Sequence, residues 1–147
     1  MSRPLLLILN GPNLNFLGTR EPHLYGRETL ADVEKLVRAR ADELGFDIDF
    51  FQTNHEGVML DHIQSFRGQA SGVVINPGAW THTSVALRDC LLSIDVPFVE
   101  VHVTNVHKRE PFRHHSYLSD VAEAVIAGAG VAGWSFGVEV LANKLHK

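Results

Sequence analysis

Arg20 and Tyr25 stand five residues apart on one segment bracketed by Gly18 and Gly26. A phenol ordinarily titrates near 10, so it removes a proton at neutral pH only where a cation stabilises the phenolate. Arg20 is a cation of the right kind, because a guanidinium stays protonated and does not compete for the proton. For an isolated pair the plain alternative is Tyr25 packed on a helix and Arg20 solvated. The density of Asn and Gly around them, in Asn10-Gly11-Pro12-Asn13-Leu14-Asn15 and Gly18-Thr19-Arg20-Glu21-Pro22, favours chemistry. The pair predicts proton abstraction from a small anionic substrate.

An acid to complement that base is present in Phe98-Val99-Glu100-Val101-His102. Alternate residues of a strand face the same side, so the Glu100 carboxylate can fix the tautomer of His102, raise its pKa and make it a proton donor. A hydrogen-bonded structural histidine is the competing reading. His82 and Ser84 follow Asn76 into the start of a helix, where free backbone amides favour an anion or polar hydroxyls. Capping by Thr83 or Ser84 uses only one or two of those donors and is compatible with binding. Arg113, in Arg109-Glu110-Pro111-Phe112-Arg113, offers a second cation for a substrate carboxylate or hydroxyl, against the alternative of a solvated surface arginine.

Other chemistries lack their residues. Gly128-Ala129-Gly130-Val131-Ala132-Gly133 matches a dinucleotide fingerprint, but too little chain follows it for the acidic ribose ligand, so it reads as tight strand–helix packing. The nine histidines show no metal-ligand spacing, and no metal is expected. Ser84 lacks a nucleophile elbow, and Cys90 falls mid-helix, where a structural thiol is usual. Lys35, Lys108, Lys144 and Lys147 fall on helix faces, a loop or the tail, which leaves a lysine imine poorly served.

These residues need a scaffold, and the chain of 147 residues with 45% hydrophobic content has enough to build one domain, 1–147. Apolar runs recur at Leu5 to Leu9, Phe46 to Phe51, Gly72 to Ile75, Phe98 to His102 and Ala124 to Ile126, each bounded by Gly, Pro or Asn. Helical periodicity fills the gaps. It begins at the N-cap Thr29, places Leu30, Val33, Val37 and Leu44 on one face and stops at Gly45; further helices fall at Val58 to Phe66, Ser84 to Ile94 and Trp134 to Leu145. Such alternation predicts an α/β fold, a doubly wound parallel sheet of about five strands with helices on both faces, of flavodoxin-like type. Ligands of such folds bind beyond the carboxyl ends of the strands, where the polar segments after the first, third and fourth runs would meet. The segment at about 14–27 is long for a strand–helix connection and reads as a lid. A net charge of -4 argues against a nucleic-acid partner, the run Leu5 to Leu9 is too short for a membrane span, and one unpaired cysteine suits the cytoplasm.

Taken in order, GPNLNFLGTREPHLYG, NPGAWTHTSVALRD and EVHVTNVHKREPFRHHS resemble the characteristic segments of type II 3-dehydroquinate dehydratase, and the likeness spans essentially the whole chain. The resemblance implies a flavodoxin-like fold, no cofactor, and trans dehydration of 3-dehydroquinate to 3-dehydroshikimate, in the shikimate pathway or in quinate breakdown. By position it implies that Tyr25 takes the proton alpha to the ketone with Arg20 lowering its pKa, Asn13 stabilises the enolate, and His102 protonates the departing hydroxyl. Asn76, His82 and Arg113 match substrate-binding positions, and the amides of Val103 and Thr104 match those that hold the carboxylate. Asp89 matches a residue that reaches a neighbouring subunit's site, which implies a homo-oligomer, typically a dodecamer built from four trimers. Thr104 stands where the family pattern has Ser, and Trp80 where it has Tyr; altered substrate affinity is the expected consequence.

Overall fold

A computed structural model describes residues 2–19, 21, 23 and 26–146. Five strands, β1 (Leu5–Asn10), β2 (Asp47–Gln52), β3 (Ala70–Asn76), β4 (Phe98–His102) and β5 (Ala124–Ala127), form one sheet in the order β2-β1-β3-β4-β5. Every pairing is parallel. Among the described residues three helices join successive strands from β1 to β4, α1 (Leu30–Leu44), α2 (Glu56–Ser65) and α3 (Val85–Ser93), and α4 (Ala132–Leu145) follows β5. The architecture is the flavodoxin-like α/β arrangement expected.

Alternation along β1 explains the two layers. Leu6 and Ile8 join Val33, Val37, Trp134 and Val138 beneath α1 and α4, while Leu7 and Leu9 join Met59, Ile63, Leu87 and Leu91 beneath α2 and α3. A strand covered on both faces must be apolar at every position, which is why LLLIL carries no polar residue. The α1 start follows its sequence signal. The Thr29 hydroxyl accepts from the Asp32 amide while the Asp32 carboxylate accepts from the Thr29 amide, and Gly45 closes the helix at φ 87°. The Gly128–Gly133 stretch leads into α4, which presses on the sheet. A Cβ on Gly133 would lie 3.1 Å from Val101 Cγ1, and one on Gly137 3.0 Å from Val74 Cγ1, so a side chain at either would press on a sheet valine that has to give way. Cys90 is buried, and burial pushes its thiol up, as suits an inert structural role.

Several expected boundaries move. β2 is displaced by one residue and β3 is longer at both ends, because parallel pairing carries Asn76 alongside Asn10 and Asn10 alongside Gln52. α2 begins at Glu56 rather than at Val58, which is exposed and anchors nothing; Met59 and Ile63 make its buried face. Helix α3 starts at Val85, with Ser84 as its cap: the Ser84 hydroxyl accepts from the Leu87 amide at 2.8 Å. Helix α4 starts at Ala132, two residues before Trp134. No helix among the described residues is long and apolar enough to cross a membrane.

Candidate active site

At the carboxyl ends of β1, β3 and β4 the chain leaves the sheet in three polar segments that meet. The first is anchored by Asn10, fully buried, whose Oδ1 accepts from Trp134 Nε1 at 2.9 Å and whose Nδ2 donates to the Phe51 carbonyl at 3.1 Å. The next residue, Gly11, donates its amide to the Asn76 carbonyl, and a Cβ there would sit 2.4 Å from the Pro77 carbonyl oxygen. Only glycine lets these two loops touch. Asn13 then adopts φ 70°, with its amide donating to Asn54 Oδ1 at 2.9 Å. Gln52 Nε2 donates to the same oxygen and to the Gly11 carbonyl, which ties the end of β2 to the bend.

A cavity of about 190 Å³ lies where the segments converge, and Asn13, Asn76, His82, His102, Val103, Thr104 and Arg113 all line it. Those are seven of the site residues expected from sequence. Glu100 lies behind His102, 1% exposed, with Oε2 2.5 Å from His102 Nε2. His82 holds the opposite wall, its ring 6.4 Å from that of His102 and 19° from parallel. His82 Nδ1 is 2.8 Å from the His115 carbonyl, which only accepts, so Nδ1 carries the proton and Nε2 is the other, basic nitrogen. Arg113 lines the cavity, and its Nε donates to both oxygens of Glu110 at 3.2 Å. Asp89 does not line the cavity; it is exposed on α3. Arg20 and Tyr25 lie outside the described residues. Glu21, His23 and Gly26, from the same segment, border an open hollow of about 1130 Å³ that shares Val103, Thr104 and Arg109 with the cavity.

Residues 4–142 match the model of the class II dehydroquinase family. The chain belongs to that family. A catabolic 3-dehydroquinase from Aspergillus terreus is 59% identical over 93% of this chain and 90% of its own length. One from Penicillium rubens is 60% identical over 91% and 86%. The crystal structure of type II dehydroquinase from Butyrivibrio crossotus superposes with a TM-score of 0.91 at 39% identity, covering 95% of this chain and 97% of that one. This dehydroquinase is accordingly a hydro-lyase, a 3-dehydroquinate dehydratase.

The electrostatics of the dehydroquinase site come from burial set against hydrogen bonds. Burial alone would push the Glu100 carboxyl up; hydrogen bonding and charge from His102, with the hydroxyls of Ser119 and Thr81, outweigh it and hold Glu100 below the usual carboxylate value. His82 goes down, chiefly through burial, with His102 and Arg113 adding to the effect against the His115 carbonyl. A lowered His82 is a neutral imidazole at neutral pH. Among the described residues no cluster of His, Cys, Asp and Glu has the arrangement of a metal site.

Sequence reasoning missed Arg109. Its side chain is largely buried in the cavity wall, with Nη1 donating to the Thr104 hydroxyl at 3.3 Å. The available signal was its position four residues before Arg113, across Pro111, which opens a short 3₁₀ turn. The Thr104 hydroxyl is therefore engaged by a neighbour. Trp80 is buried in the layer that α2 and α3 cover, beneath the 78–82 turn. Also missed were Gln52 and Asn54, which set the bend at Asn13, and the hydroxyls of Thr81, Ser116 and Ser119 around Glu100.

Proposed function

We propose that this dehydroquinase removes water from 3-dehydroquinate by a trans elimination through an enolate, with Tyr25 as base and His102 as acid. The base takes a proton from the carbon alpha to the ketone, and the electron pair moves onto the carbonyl oxygen as the enolate. Collapse of the enolate forms the new carbon–carbon double bond and expels the hydroxyl, which takes a proton from His102 and leaves as water. Asn13 stabilises the enolate charge, where fixed donors help most, and Arg20 keeps Tyr25 ionised. Asn76, with Oδ1 already accepting from the Gly78 amide, offers its NH₂ to a substrate hydroxyl. Neutral His82 offers a lone pair, Arg113 a cation, and the Val103 and Thr104 amides the carboxylate contacts. The observation that carries this reading is His102 on the cavity wall with a buried carboxylate on Nε2.

Purified protein without added metal should convert 3-dehydroquinate to a conjugated enone, followed as rising ultraviolet absorbance. Tyr25→Phe should lose roughly 10²–10⁴-fold in kcat, the range for general acid–base groups. Full activity in Tyr25→Phe would remove the proposed base, and inactivation by borohydride with substrate present would point to a lysine imine instead.

The biological role proposed is breakdown of quinate. Sequence reasoning set aromatic biosynthesis first, whereas the Aspergillus and Penicillium relatives, at 59% and 60% identity, are named catabolic enzymes and support the other assignment. Gene disruption that stops growth on quinate but not growth without aromatic supplements is the outcome expected. The proposed assembly is a dodecamer of four trimers, with Asp89 reaching a neighbour's site. Val85, Asp89 and Leu92 are exposed on one stripe of α3, an apolar and acidic face suited to another copy of the chain. Sedimentation of Val85→Glu should give smaller particles.

A further inference from the structure

Glu100 is held by more than His102. Oε2 accepts from His102 Nε2 at 2.5 Å and from the Thr81 hydroxyl at 2.8 Å, Oε1 accepts from Ser119 Oγ at 2.7 Å, and Ser116 Oγ reaches both oxygens, at 3.1 Å and 3.0 Å. A carboxylate has about four lone-pair sites. Four protein donors surround them. Ser116 Oγ also lies 2.8 Å from Thr81 Oγ1 and accepts from the amides of Leu118 and Ser119 at 3.0 and 3.2 Å. With its lone pairs engaged by two amides, Ser116 is the donor, and its one proton is divided between the carboxylate and Thr81 Oγ1.

The three hydroxyls belong to two irregular segments that are fastened together. The Tyr117 amide donates to the Thr81 carbonyl at 2.8 Å, and His82 Nδ1 donates to the His115 carbonyl. None of the three lines the 190 Å³ cavity. They act on it only through Glu100.

We propose that Thr81, Ser116 and Ser119 are positioning residues for the dehydration: by filling the lone pairs of Glu100 they keep it a carboxylate and so fix which nitrogen of His102 delivers the proton. A protonated Glu100 would bring a fifth hydrogen among four donors. Kept ionised, Glu100 takes the Nε2 proton of His102 as a hydrogen bond, and Nδ1 is left as the nitrogen that gives its proton to the leaving hydroxyl. Loss of one hydroxyl strips a donor from a charge that water does not reach. Glu100 then takes up a proton at a higher pH than in the wild type, and His102 loses its ionised partner there. The inference rests on His102 being the acid of the proposed reaction.

The titratable and charged groups facing His102 are Glu100 on its own strand, His82 from the 78–82 turn, and Arg109 and Arg113 from the turns after β4. All of them, with Arg20 and Tyr25, are retained in the variants that test the idea. Steady-state kinetics against pH would be run on wild type, Ser119→Ala and Ser119→Thr. In Ser119→Ala the low-pH limb of kcat should move to higher pH by about one unit, a tenfold change in an ionisation constant, with KM within about twofold. Ser119→Thr, which keeps a hydroxyl, should restore the wild-type profile.

If Ser119→Ala does not fold, the pair Thr81→Val and Thr81→Ser puts the same question, the first without a hydroxyl and the second with one. A limb that stays in place in the variant without a hydroxyl, or a Thr or Ser replacement as impaired as that variant, would overturn the role. An inactive wild type would sink the dehydration reading itself. An active wild type whose limb does not respond sinks only the part given to the hydroxyls.

Discussion

His102 and His62 each place Nε2 against a carboxylate, 2.5 Å from Glu100 in one case and 2.6 Å from Asp49 in the other. By distance they are the same device. Their side chains differ in exposure, 8% and 1% for the first pair against 20% and 28% for the second. The His62 ring is stacked 3.7 Å from Phe51 and lies tilted at 58° to Phe66, so it serves as an aromatic cover between α2 and the outer strand β2. His102 stands at the end of β4 with a cavity on one side and a carboxylate bound by three hydroxyls on the other. A short His–carboxylate contact is thus no sign of catalysis by itself. Placement at a strand's carboxyl end, closure from water and three further hydroxyl donors separate the pair proposed for catalysis from the packed one.

The largest expected contrast is in turnover. His102→Ala should lower kcat by roughly 10²–10⁴-fold, whereas His62→Ala should leave kcat within about twofold; comparable losses would erase the distinction. The carboxylates come next. Glu100→Gln puts an NH₂ among four donors and should cost about 1–3 kcal/mol by denaturant unfolding, the penalty for buried unsatisfied groups. Asp49→Asn, at a partly exposed pair, should cost no more than about 1 kcal/mol.

The Glu100 advantage is also pH-dependent. Its folded value lies below the ordinary glutamate value of 4.5, so the ionised group contributes stability fully above that value and loses it as pH falls through the lower folded one. Unfolding midpoints of wild type and Glu100→Gln should therefore converge on acidification, and a constant gap would contradict the ionised assignment. The smallest effect belongs to His82. Because its pKa is lowered, mainly by burial, KM should stay flat through the usual imidazole range and rise only below it. A rise beginning at the ordinary imidazole value would show that His82 does not bind as a neutral ring.

The strands, the helices and their parallel arrangement were legible because each strand buried on both faces must be apolar throughout, and each helix buries one stripe. Leu6 and Leu7 face opposite layers, yet both had to be hydrophobic. Glu100 and His102 were legible for the converse reason, as polar residues interrupting an apolar strand at a two-residue interval. The 3₁₀ turns carry no such rhythm. Arg109 reaches Thr104 from an irregular segment, and Thr81, Ser116 and Ser119 meet Glu100 from others, across 16 to 19 residues, which leaves no periodic trace. Boundaries failed where a single residue misled: Val58 looks like a first core position, and the fold leaves it in solvent. Tyr25 and Arg20, outside the described residues, were proposed from their surroundings in sequence and from the family likeness, not from periodicity.

Asn10 also bears on when the site comes into being. Its side chain joins Trp134 across 124 residues of chain, and from it the backbone turns directly into Gly11 and the bend at Asn13. A contact that distant is entropically slow to close. The catalytic pocket is therefore expected to be among the last parts of the molecule to gain native order, after the sheet has formed and only as α4 docks. In refolding, recovery of dehydratase activity should track burial of the Trp134 indole rather than the earlier gain of helix.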